Sequence, residues 1–108
     1  MDFELRIIAD CPNGSPAGEL YLRALEAEGL DAGELRIREL ASEEEALDLE
    51  FHGSPTFVAS GRDLFASGAE PALSCRVYPT QEGLAGLPSF DDLRAALRNA
   101  GEAEPAAK

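Results

Sequence analysis

The chain opens on an alternation. Phe3, Leu5 and Ile7 are apolar, Glu4 and Arg6 between them are charged, and Ile7-Ile8-Ala9 is apolar throughout. A period of two that closes on an apolar run predicts a strand over residues 2 to 9. Asp10-Cys11-Pro12-Asn13-Gly14-Ser15-Pro16 is turn chemistry, with Ser15 placed to cap a helix and Pro16 to take its first position. Ala17, Leu20, Tyr21, Ala24 and Ala27 follow at helical spacing, and Gly29 supplies a stop.

Leu35-Arg36-Ile37-Arg38 returns to a period of two and predicts a short strand. Ser42 with Glu45 three residues on forms a capping box for a helix reaching about Glu50. Thr56 to Ala59 reads as a third strand, and Cys75 to Tyr78 as a fourth. Ser89, with Asp92 behind it, caps a last helix whose buried stripe is Phe90, Leu93, Ala96, Leu97 and Ala100. Gly101 ends that helix, leaving residues 101–108 as a loose tail behind a domain of residues 1–100.

This order, βαβαββα, predicts an α/β fold: a four-stranded mixed sheet flanked by three helices. Helices between the first three strands favour parallel crossovers. The last two strands have no helix between them, which favours an antiparallel pair. Gly61 to Ser74 is long for a hairpin loop and marks a functional segment or a small extra element, with Leu64 and Phe65 anchoring it on the core.

Composition narrows the function. At 108 residues and 44% apolar content the chain is long and apolar enough for one domain with its own core. A net charge of -12 repels phosphate backbones and anionic lipids, so nucleic acid and membrane surfaces are poor partners. No apolar run approaches the roughly 18 residues of a membrane helix, and Met1-Asp2-Phe3-Glu4 lacks the basic start of a signal peptide. The expected location is the cytoplasm. Two cysteines and one histidine, widely spaced, make neither a disulfide framework nor a zinc site, and no cofactor is expected. No phosphate loop or Ser-His-Asp set is present.

The element order and two local motifs resemble the thioredoxin-like superfamily over residues 2 to 100. Cys11-Pro12 stands between the first strand and the first helix, where that superfamily carries its nucleophilic cysteine. Gly53-Ser54-Pro55-Thr56 stands before the third strand, where it places a cis-proline. Within it the chain resembles small bacterial proteins with Cys-Pro-Asn-Trp at the helix start and Leu-Ser-Cys-Arg later. Here those segments are Cys11-Pro12-Asn13-Gly14 and Leu73-Ser74-Cys75-Arg76. Gly14 stands where the dithiol members have their second cysteine, so the resemblance implies monothiol and not Cys-x-x-Cys chemistry.

On that resemblance Cys11 is the catalytic thiol, Pro12, Asn13, Gly14, Ser54 and Pro55 meet the substrate, and the residue before the cis-proline offers its backbone to an extended partner. A thiolate at a helix N-terminus is stabilised by unpartnered N–H groups and the helix dipole, although the Asp10 carboxylate opposes it. The implied partner is a protein or a low-molecular-weight thiol or disulfide. Cys75 is the only candidate second thiol. If residues 56–60 and 75–78 form a plain hairpin, Cys75 starts the returning strand too far from Cys11 for a disulfide, whose Cα atoms lie within about 7 Å. Cys75 then reads as a core or loop thiol. His52 reads as a loop histidine, with a base approaching the Cys11 end as the alternative, Glu43 to Glu45 as charges favourable to a helix start, and Tyr21 and Tyr78 as core or half-buried aromatics. The competing reading is a non-catalytic module that binds a protein partner or a soft metal beside Pro55.

Overall fold

The computed structural model describes residues 2–65 and 71–102. The first strand, β1 (Phe3–Ile8), turns Phe3, Leu5 and Ile7 to one face and Ile8 to the other. The helix α1 (Gly14–Ala27) buries Ala17, Leu20, Tyr21, Ala24 and Leu25 against the first of these faces. Leu25, absent from the expected stripe, is buried, whereas Ala27 is exposed. The helix also starts earlier than Ser15: Ala17 N–H donates to the Asn13 carbonyl at 2.9 Å, so Asn13 takes the cap position without a side-chain bond. Pro16 falls within the first turn, where its missing N–H has no helical acceptor to lose. At the other end Gly29 has φ +72°, and Leu30 N–H reaches the Leu25 carbonyl at 2.9 Å, closing the helix as expected.

After a 3₁₀ turn at Ala32–Glu34, β2 (Leu35–Leu40) lies parallel to β1 from Phe3↔Leu35 to Ile8↔Leu40. It is the outer strand of the sheet, and Ile37 is 61% exposed. Ser42 then caps α2 (Glu43–Asp48), accepting from Glu45 N–H at 3.2 Å, while the Glu45 carboxylate accepts from Ala41 N–H at 2.8 Å. The return bond of the capping box thus falls one residue before the cap.

The third strand, β3 (Thr56–Ala59), is where the expected topology fails. It pairs antiparallel to β1, Arg6↔Thr56 to Phe3↔Ala59, and not parallel. The reason is length. The six residues of α2 rise only about 9 Å, at 1.5 Å per residue. A parallel crossover must climb back along a six-residue strand, about 20 Å at 3.3 Å per residue. The chain therefore re-enters the sheet at the end where β2 left it.

The fourth strand of the sheet is β4 (Arg62–Asp63), antiparallel to β3 as a hairpin partner, and not Cys75–Tyr78. Tyr78 instead opens a separate hairpin, β5 (Tyr78–Thr80) with β6 (Gly83–Ala85), around a positive-φ Gly83. The main sheet thus runs β2-β1-β3-β4. Ser89 caps α3 (Phe90–Glu102), its hydroxyl accepting from Asp92 N–H at 3.0 Å, and the helix passes through Gly101. The rest of the expected tail, 103–108, lies outside the described residues.

The larger core joins Phe3, Leu5, Tyr21, Leu25, Phe57, Tyr78, Leu93 and Leu97, so α1 and α3 share one face of the sheet. Leu64 and Phe65 pack against it, as expected of anchors. A smaller cluster of Leu40, Ala46 and Phe51, with Ile8 and Leu73 packed against it, seats α2 on the opposite face. Three helices and a four-stranded mixed sheet are the result. No helix among the described residues is long and apolar enough to cross a membrane.

Candidate functional site

Two turns meet at the carboxyl end of β1. The first carries Cys11. Asp10 adopts φ 60°, an unusual conformation for a residue with a side chain, and Cys11 N–H folds back to the Ile8 carbonyl at 3.3 Å. Gly14 N–H returns to the Cys11 carbonyl at 3.1 Å, so the cysteine sits in a closed turn directly ahead of α1. Cys11 is half-buried, Pro12 exposed, Asn13 half-buried and Gly14 buried. A Cβ on Gly14 would lie 3.4 Å from Ile7 Cδ1, so the helix start packs closely on the strand.

The second turn carries Ser54 and Pro55, joined by a cis peptide bond as expected, and both are buried. Ser54 links the two turns: its hydroxyl accepts from Ile8 N–H at 3.2 Å, and the carbonyl of the same Ile8 accepts from Cys11 N–H. The Tyr78 hydroxyl donates to the Pro55 carbonyl from below. Tyr21 donates likewise to the Val58 carbonyl at 2.6 Å, and burial pushes both phenols above their ordinary range.

Cys75 is not where a plain hairpin would leave it. It is exposed, and it forms a parallel bridge with Ser54. Ser54 N–H donates to the Ser74 carbonyl at 2.7 Å, and Arg76 N–H donates to the Ser54 carbonyl at 3.0 Å. Both backbone groups of the residue before the cis-proline are thereby engaged by the chain itself. The premise that kept Cys75 far from Cys11 fails because β4 takes over the hairpin with β3 and releases residues 71–76 to run back beside residues 51–54. Ala72 N–H begins that run with a bond to the Phe51 carbonyl at 3.1 Å.

Arg76 holds this segment down. Only 8% exposed, it pairs with Asp63 at 2.8 Å, reaches the Phe65 carbonyl and the Thr56 hydroxyl, and lies 4.8 Å over the Tyr78 ring. Gly53, at φ +116°, lets the strands touch: a Cβ there would lie 2.8 Å from Arg76 Cβ. Gly86 does the same for the first turn, since its Cβ would fall 2.2 Å from Asn13 Nδ2. Arg76, Gly53 and Gly86 escaped the sequence reading as site residues. The signal for Arg76 was its place next to Cys75 within an otherwise acidic chain. Gly53 stood in the Gly53-Ser54-Pro55-Thr56 segment ahead of the third strand, but Gly86 gave no signal, because close approach between distant segments leaves no local mark.

His52 is half-buried, and its Nδ1 has no partner among the described residues. It lines a polar cleft of about 470 Å³ with Arg6, Asp48, Thr56, Arg62 and Asp63, which neither cysteine lines. The described residues hold no cluster of three or more metal-binding side chains. Comparison with known families, characterised proteins and solved structures finds no match to this chain.

Proposed function

We propose that the chain is a thioredoxin-like thiol–disulfide exchange protein of the cytoplasm, with Cys11 as the attacking thiol. The observation that carries this reading is the half-buried Cys11 in a closed turn ahead of α1, joined by two hydrogen bonds through Ile8 to a buried cis Ser54–Pro55. A helix start stabilises a thiolate through its free N–H groups and dipole. Exposed Pro12 leaves the turn open on one side to a small disulfide or a protein.

The engaged Ser54 backbone also favours a second reading, a binding module without exchange chemistry whose groove is filled by its own chain. Iodoacetamide labelling of the wild type and of Cys11→Ser and Cys75→Ser separates the two. Exchange chemistry requires Cys11 to label faster than a free cysteine at neutral pH and to form an adduct with a small disulfide. A Cys11 that labels no faster than free cysteine, and forms no adduct, leaves the binding module standing.

A further inference from the structure

The Ser74–Arg76 segment occupies both backbone groups of Ser54, and the residue in register with Ser54 is a cysteine. The chain thus presents a thiol of its own where the exchange reading places an incoming partner. Two hydrogen bonds through Ile8 connect the Cys11 turn to Ser54: Cys11 N–H to the Ile8 carbonyl at 3.3 Å, and Ile8 N–H to the Ser54 hydroxyl at 3.2 Å. Ser54 is then in backbone contact with the residues on either side of Cys75. Both thiols are free, and Cys75 is exposed, so it is open to solvent and to reagents. Nor is the segment a loose loop: buried Arg76 fixes it to Asp63, and Gly53 accepts it at contact distance.

We infer that Cys75 is the resolving thiol for Cys11, so that this chain runs a two-cysteine cycle across its two turns although it has no Cys-x-x-Cys. The inference rests on the reading of Cys11 as an exchanging thiol. In the first step the Cys11 thiolate attacks one sulfur of a small-molecule disulfide. The S–S bond of that molecule breaks, a mixed disulfide forms on Cys11, and one small thiolate leaves. In the second step Cys75, having lost its proton to solvent, attacks the Cys11 sulfur. The mixed disulfide breaks, the Cys11–Cys75 bond forms, and the second small thiolate leaves. Two protein thiols are oxidised and one small disulfide is reduced to two thiols, with no other co-reactant. A small dithiol reverses the cycle.

The test treats the full chain with glutathione disulfide, quenches with acid at intervals, and maps the peptides by mass spectrometry without reduction. The wild type is expected to show a transient glutathione adduct on Cys11, giving way to a linked pair of peptides carrying Cys11 and Cys75. Cys75→Ser is expected to keep the Cys11 adduct, with loss of the linked pair. Gly53→Ala, which pushes the segment away from the turn, is expected to lengthen the lifetime of the Cys11 adduct relative to the wild type. A wild type whose Cys11 adduct is as lasting as that of Cys75→Ser overturns the resolving role and leaves the exchange reading intact. A linkage through Cys75 that joins only separate molecules overturns it too. Absence of any Cys11 adduct in Cys75→Ser overturns the exchange reading itself.

Discussion

The two cysteines reach the same end of the sheet by different physics. Cys11 is placed locally: a left-handed Asp10, a bond to Ile8 three residues back, and a helix that begins at Gly14. The backbone bonds of the turn itself lie within a few residues along the chain. Cys75 is placed from a distance, by Ser54, by Gly53 and by an arginine whose partner Asp63 is far back in the sequence. Local turns form early and cost little loop closure, whereas the second arrangement requires the core to be complete first. The first turn should therefore withstand damage that releases the second.

The largest effect is expected at the joint between the two regions. Phe57 stacks edge-on against Tyr21 on one side and against Phe65 and Tyr78 on the other. Phe57→Ala should cost about 3–5 kcal/mol in denaturant unfolding, because a buried aromatic leaves a cavity. Arg76→Leu should cost about 3 kcal/mol, since it strands Asp63 without its cation. It should raise the labelling rate of Cys75 while leaving that of Cys11 unchanged. Equal changes at both cysteines would show that the two turns move as one unit.

Tyr78→Phe removes the hydroxyl that bonds the Pro55 carbonyl and should cost about 1–2 kcal/mol, read as a shift in the denaturation midpoint. Ser42→Ala deletes a local cap and should cost about 1 kcal/mol, with no change at either cysteine. The smallest effect is expected from Glu28→Gln. Hydrogen bonding from Arg94, aided by Arg98, holds the Glu28 carboxyl below its ordinary range. A lowered folded-state value gives a contribution that is complete above the unfolded carboxylate value and disappears as pH falls through the folded one. The mutant should therefore melt slightly lower than the wild type at neutral pH and no lower in strong acid.

The same division explains what the sequence made legible. β1, β3, the Gly29 stop and the Ser42 and Ser89 caps all rest on neighbours in the chain, and all were readable, whereas the cis Ser54–Pro55 bond was expected only from the family resemblance. The direction of β3 was not, because it depends on whether α2 is long enough to recross the sheet, and the apolar pattern set only an approximate helix end. The β5–β6 hairpin hid behind Pro79, which argues against a strand, although Gly83 marked its turn. β4 has two residues and no period to read. The place of Cys11 between the first strand and the first helix could be read from the order of elements. The position of Cys75 followed only once Arg76 was seen buried between Asp63 and Tyr78.

The outer strand carries a consequence for crowded solutions. β2 leaves one backbone edge open, with Ile37 standing out from it. An open edge is a template on which a second molecule can add a strand. The antiparallel register that sets Ile37 against its own copy also sets Arg36 of one molecule against Arg38 of the other. Like charges facing each other disfavour that pairing. An uncharged pair at these positions would remove that repulsion from the open edge.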